Sequence, residues 1–289
     1  MSFMKKQQIG TGSYAFMVLL LLLASLVCTL AHAQLVINPT RLVFDKNQRA
    51  AQIDVANSGT TVNTYRVNIV NRRMTESGEF LAITEPGAGD QFAGPMLVYS
   101  PRQIVLQPGA QQLVRIAVRK PADLAPGEYR SHISFEQVAD PSLANTIESQ
   151  VVPGNNEVAV SLTPLIGLSI PVIIRQGQTD ASVTISNIVV EPPKSAAEPA
   201  LVGFQLNRVG NRSIYGDIAV TFKTAAGTEQ VVARAGGVAV YVPNSMRRVR
   251  LTLQTPGGVL PKGGSLAVTF KERVEDGGKL LAENLIQIP

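Results

Sequence analysis

The sequence predicts an all-β protein made of two sandwich modules behind a leader segment. Three observations carry that expectation. Short runs that alternate apolar and polar residues recur, with turn signals between them. No long segment sustains the period of about 3.6 residues that marks a helix. The strand pattern also stops at Gln176-Gly177-Gln178 and then begins afresh, with no sequence repeat between the two parts.

The leader comes first. Lys5 and Lys6 precede an apolar run over residues 16–27, and Ala31-His32-Ala33 ends it with a small-x-small pattern. This is the layout of a secretory signal peptide, with cleavage expected after Ala33. The apolar run is shorter than the roughly 20 residues a membrane-spanning helix needs. The sole cysteine, Cys28, falls within this segment. The part after residue 33 therefore carries no disulfide framework, and its stability must come from packed cores. Without Lys5 and Lys6 the net charge falls from +5 to +3, and the remaining charges are scattered. That pattern argues against nucleic-acid binding, which needs a clustered basic surface.

The expected strands of the first module cover residues 35–44, 51–55, 65–70, 112–118, 132–138 and a long final run over 158–175. Those of the second cover 181–190, 202–209, 216–222, 238–242, 247–253 and 265–271. Pro108-Gly109 and Pro126-Gly127 supply turns, because proline pre-sets one backbone dihedral and glycine allows a positive one. The expected organisation is a signal peptide over 1–33, a first domain over 34–175 and a second over 176–289.

The long run is the most informative. Val158, Val160, Leu162, Pro164, Ile166, Leu168, Ile170, Val172 and Ile174 fall at every second position. Side chains alternate faces along a strand, so these form one apolar stripe. The run is about three times the usual strand length of roughly 5–6 residues. Pro164 and Pro171 cannot donate to a ladder, which favours an edge position or a bulge. A polar approach over residues 139–157 precedes it. Such a strand either fills the core of its own sandwich or offers part of itself to another chain. Val158, Val160, Leu162 and Ile166 are the candidate donor positions.

Catalytic chemistry is hard to place. After the leader there is one histidine, His132, in an alternating strand. No His/Cys/Asp cluster has metal-ligand spacing. There is no nucleophile elbow and no phosphate-binding loop. The chain is expected to be no enzyme and to need no cofactor, metal or small-molecule substrate.

Three segments resemble the PapD-like periplasmic chaperones of the chaperone–usher pathway for pili. Pro39-Thr40-Arg41-Leu42-Val43-Phe44 is similar to the family's first strand. Pro101-Arg102-Gln103-Ile104-Val105-Leu106-Gln107-Pro108-Gly109, followed by Gln111 to Ile116, is similar to its most recognisable block. Val172-Ile173-Ile174-Arg175 is similar to the end of the first domain's last strand. The resemblance spans both modules. It implies two immunoglobulin-like sandwiches in a bent, L-shaped arrangement with a cleft between them. It also implies pilus or fimbrial subunits and an outer-membrane usher as partners, a periplasmic location, and strand donation as the mechanism.

On this resemblance Arg41 anchors the subunit's terminal carboxylate. Glu128, Arg175 and Asp276 would form ion pairs between the domains. One position departs from the family, which usually carries a lysine four residues before the strand's closing arginine. Here that position is Pro171, and no lysine occurs between Ala122 and Pro193. The sequence leaves open what replaces that lysine and whether the free chain self-associates. A secreted structural or adhesive surface protein is the alternative reading.

Overall fold

The computed structural model describes residues 35–139, 167–195, 198–255 and 260–289. The expected leader and the candidate donor residues Val158, Val160, Leu162 and Ile166 lie outside the described residues.

The first domain opens with β1 (Leu35–Asn38) and β2 (Leu42–Phe44), then β3 (Ala50–Asn57) and β4 (Asn63–Val70). A small hairpin follows, β5 (Arg72–Met74) and β6 (Phe80–Ala82). It continues with β7 (Leu97–Ser100), β8 (Gln103–Leu106), β9 (Gln111–Val118), β10 (Gly127–Gln137) and β11 (Gly167–Gln176). One sheet has the order β1-β3-β9-β7 and the other β2-β11-β10-β4-β8. That order is the immunoglobulin arrangement of two facing sheets. The stretch expected as one strand over residues 35–44 is two strands. Proline has no N–H to give to a ladder, and at Pro39 the chain leaves one sheet for the other. Gly109, with φ of +73°, makes the turn before β9, and its N–H donates to the Asn57 carbonyl.

The second domain holds β12 (Ala181–Glu191), β13 (Leu201–Gly210), β14 (Ile214–Lys223), β15 (Glu229–Val240), β16 (Met246–Thr252), β17 (Gly264–Lys271) and β18 (Leu280–Ile288). Its sheets are β12-β13-β16 and β15-β14-β17-β18. Each domain closes over its own core. Phe44, Ile53, Tyr65, Ile116, Ile133 and Phe135 fill the first, and Val202, Leu206, Val220, Leu266, Val268 and Phe270 the second. A third, smaller cluster joins Met74 and Ile173 of the first domain to Ala239 and Tyr241 of the second.

The strand β11 connects the domains. It pairs with β10 along its whole length, from Gly167 opposite Glu136 to Gln176 opposite Gly127. Its other edge meets β2 only at Val172, Ile173 and Ile174. Over residues 167–171 that edge has no ladder partner among the described residues. Pro171 sits in this one-sided stretch, where a missing N–H is tolerated.

Candidate functional site

Residues paired across a ladder point to the same face, so one face of β2, β11 and β10 can be read from the register. Val43, Ile173 and Arg130 align on it, as do Arg175 with Glu128 and Pro171 with His132. This is the face that meets the second domain. The opposite face of β11 carries the even-numbered stripe. Ile170, Val172 and Ile174 are buried in the first domain's core, whereas Leu168 is 40% exposed. From Ile170 onward the stripe therefore serves the chain's own sandwich, and Leu168 stands outside that core.

Arg41 lies just ahead of β2. Its guanidinium stands 4.6 Å from the ring centre of Tyr215 in the second domain, and its buried Nε has no hydrogen-bond partner. A second arginine occupies the same face. Arg130 is buried, with its guanidinium 4.4 Å from the ring centre of Tyr241 and 5.8 Å from that of Phe80. Its Nε and Nη1 have no partners. Burial works against its positive charge, while Tyr241, Glu128 and Asp90 favour it. Burial raises the Tyr241 hydroxyl, and both Arg41 and Arg130 pull it back. Both cations thus act on the Tyr241 hydroxyl, though only Arg130 stacks on its ring.

His132 is next along. Its ring meets Phe80 edge-on at 5.0 Å, and neither ring nitrogen has a partner. Burial, then Arg130 and Arg72, lower its pKa to about 3, so the imidazole is neutral at ordinary pH. Arg72 and Arg247 each bury an unpartnered Nε as well. The result is a largely buried face where Arg41, Arg72 and Arg130 of the first domain meet Tyr215, Tyr241 and Arg247 of the second, with Phe80 of the first domain packed over Arg130; arginine donors of this kind suit a carboxylate.

Among the described residues Glu128 and Arg175 do pair, but within the first domain rather than between the domains as expected. Arg175 Nε lies 3.2 Å from Glu128 Oε2, and Arg175 Nη1 lies 3.5 Å from Asp45. Asp276 takes no part. It is exposed in the short turn Val274–Asp276, and no ion pair joins it to Arg175 or Glu128. The contact from the second domain is Ser213 instead, whose Oγ donates to Glu128 Oε1 and accepts the Val242 N–H at 3.0 Å. A hydroxyl can bridge a buried carboxylate to the backbone, which a second carboxylate could not do without repulsion.

The β5–β6 hairpin crosses the domain boundary. Asn244 Nδ2 donates to the Met74 carbonyl at 2.8 Å. The Arg248 N–H donates to Glu76 O at 2.7 Å, and its guanidinium pairs with the Glu76 carboxylate at 3.0 Å. Gly78, with φ of +92°, leaves room for the Arg247 guanidinium, which an added Cβ would meet at 2.3 Å. Phe80 projects from this hairpin over His132 and Arg130.

The resemblance pointed to Arg41 as a carboxylate anchor and, separately, to Glu128, Arg175 and Asp276 as an ion-pair network; it did not point to Arg72, Arg130, Ser213, Tyr215 or Tyr241. One signal was available. Glu128, Arg130 and His132 fall at every second position of a strand, so three titratable groups share a face. The tyrosines come from another domain and carry no such pattern.

No family model and no curated protein matches the chain. Among solved structures it is similar to the YadV chaperone, at 11% identity over 89% of this chain and 100% of that one, with a TM-score of 0.44. It is similar to a chain from a chaperone–tip adhesin complex of CFA/I fimbriae biogenesis, at 12% identity over 89% and 99%, with a TM-score of 0.43. It is also similar to the CupB2 chaperone of Pseudomonas aeruginosa, at 13% identity over 88% and 98%, with a TM-score of 0.42. The fold and the site together define a class: a two-sandwich β-protein in which, among the described residues, one edge of β11 lacks a ladder partner beside arginines at the face between the domains.

Proposed function

We propose that the chain is a periplasmic, non-enzymatic chaperone. It binds and stabilises pilus subunits by lending them a β-strand, then delivers them to an outer-membrane usher. One observation carries this reading. Among the described residues the edge of β11 over residues 167–171 has no ladder partner, and β2 takes up that edge just after Arg41, whose buried Nε has no partner among them either. An incomplete sandwich presents a groove and an unpaired edge, both prone to aggregate. A strand laid along that edge supplies main-chain hydrogen bonds, and alternate side chains fill the groove. Leu168 and the residues ahead of it, Val158, Val160, Leu162 and Ile166, are the donor set. Each apolar side chain buried contributes about 1.5–3 kcal/mol. Arg41 holds the subunit's terminal carboxylate at the end of the added strand.

Two experiments test this. Replacing Leu162 and Ile166 with Asp is expected to leave a folded protein that no longer protects co-expressed subunits in the periplasm. Unchanged subunit recovery would sink the donor assignment. Arg41→Ala is expected to weaken subunit capture in a pull-down about tenfold or more, as for a charge-assisted contact worth about 1.5–3 kcal/mol. Its melting curve should stay close to that of the parent. Equal capture counts against the anchor.

A further inference from the structure

The β5–β6 hairpin belongs to neither sheet of the first sandwich, yet it spans the domain boundary. Its hold on the second domain rests on few contacts. Met74 packs with Ala239 and Tyr241, and its carbonyl accepts from Asn244. The Arg247 guanidinium lies against Gly78. The Glu76 carbonyl accepts the Arg248 N–H, so the hairpin meets β16, the last strand of its sheet. Phe80 and Leu81 of β6 are exposed. Beneath the hairpin lies His132, 2% exposed, with both ring nitrogens unpartnered. Its ladder neighbours are Val70 on β4 and Pro171 on β11, neither of them charged. Arg130 stands on its own strand and Arg72 on β5, and the Phe80 ring of β6 packs against it. Tyr241 of the second domain packs on Phe80 and Arg130. The carboxylates that act on Arg130 are already engaged, Glu128 by Arg175 and Ser213, and Asp90 by Arg73 and the Gly87 N–H. A proton on His132 would add a buried positive charge beside two guanidiniums, which is costly.

We infer that the β5–β6 hairpin is an acid-released strap: a proton on His132 drives Phe80 and the hairpin off the second domain, while both sandwiches stay folded. The lifted state lets water reach the imidazolium, moves Arg72 away from Arg130, and uncovers Tyr241 and the Arg248 N–H of β16. Lifting gives up two hydrogen bonds to hairpin carbonyls, the exposed Glu76–Arg248 ion pair and a small apolar cluster. Each sandwich keeps its own core, which is far larger, so the strap opens before either domain unfolds. Once hydrated, His132 regains an ordinary pKa near 6.5, and below that value each opening takes up a proton. The strap needs no subunit and no donated strand, so it stands apart from the function proposed above.

Amide hydrogen exchange on the purified protein reads the strap through the Arg248 N–H, whose acceptor is on the hairpin. Protection factors remove the intrinsic pH dependence of exchange. Between pH 6.5 and 5 the Arg248 protection factor is expected to fall about tenfold for each pH unit, because opening takes up one proton. It should stay at least tenfold below those of Val67 and Val220, which lie in the two cores and open only with global unfolding. His132→Phe should leave Arg248 protection level across this range. The proposal is overturned if wild-type Arg248 protection is the same at pH 6.5 and pH 5. It is also overturned if Arg248 is protected as strongly as the two core amides, since the hairpin would then open only with the whole molecule. A folded His132→Phe protein that keeps the slope would sink it as well. The wild-type comparison needs no variant, so it decides the matter even if His132→Phe fails to fold.

Discussion

Glu128→Leu is expected to destabilise the protein by about 3–5 kcal/mol, the range for removing one partner of a buried ion pair. For domains of this size that corresponds to a fall in melting temperature of about 6–20 °C. The Glu128 side chain is 1% exposed and that of Arg175 14%, so solvent screens their contact little. Removing the carboxylate leaves Arg175 with only the exposed Asp45, and Ser213 with no charged acceptor. It also removes a negative charge that favours Arg130. The loss should be shared between both domains, because Ser213 belongs to the second. Pairing Glu128→Leu with Arg175→Met should recover a substantial part, since an apolar pair of similar size replaces a buried ion pair at little cost. Calorimetry decides the matter. A loss below about 1 kcal/mol would place the pair with ordinary surface contacts.

Acidification is expected to destabilise the protein well before its carboxylates titrate. The His132 pKa is lowered by burial, and by Arg130 and Arg72, from 6.5 to about 3 in the folded state. In the unfolded chain it keeps its ordinary value, so between these values unfolding takes up a proton. Stability is therefore full above about 6.5 and falls with decreasing pH by up to about 1.4 kcal/mol per unit. Asp90 moves the same way, but lower. Burial opposes its charge, yet Arg73 and the Gly87 N–H outweigh that and hold it below the usual carboxylate range, so its contribution fades only under about pH 4. Denaturant melts at pH 7, 6 and 5 separate the two. His132→Phe should flatten the slope between pH 6.5 and 5, and an unchanged slope would exonerate this histidine.

How much of this was readable beforehand differs by element. The second domain's β12, β13, β16 and β17 fall within about two residues of the expected runs, because each alternates cleanly between a buried and an exposed face. The closing strand β18 was not seen. Its sequence, LLAENLIQI, does not alternate, because it is an edge strand with Leu280 and Leu285 half-exposed. The β5–β6 hairpin was missed for another reason. Three-residue strands carry no period, and Met74, Glu76 and Gly78 meet Asn244, Arg248 and Arg247 of the other domain. At the face between the domains, Arg41, Glu128, Arg175 and Asp276 were named through resemblance; Glu128 and Arg175 pair, and Asp276 pairs with neither. The serine that does the joining has no charge to draw attention to it. Arg130 was in plain view on an alternating strand, but its isolation is a tertiary property, set by which carboxylates are already engaged.

The short pairing of β2 with β11 has a geometric consequence. It is parallel and begins at Leu42 opposite Val172, so any strand added along the same edge must stop where β2 starts. On the proposed function, that edge acts as a ruler with its zero at Arg41. A guest held there by its last residue is measured from that end, about 3.3 Å for each residue back along β11. Because faces alternate, shifting the end by one position would turn every side chain of the guest to the wrong side. On the function proposed above, the chain would thus set a subunit's register without reading its sequence, by fixing only where the subunit ends.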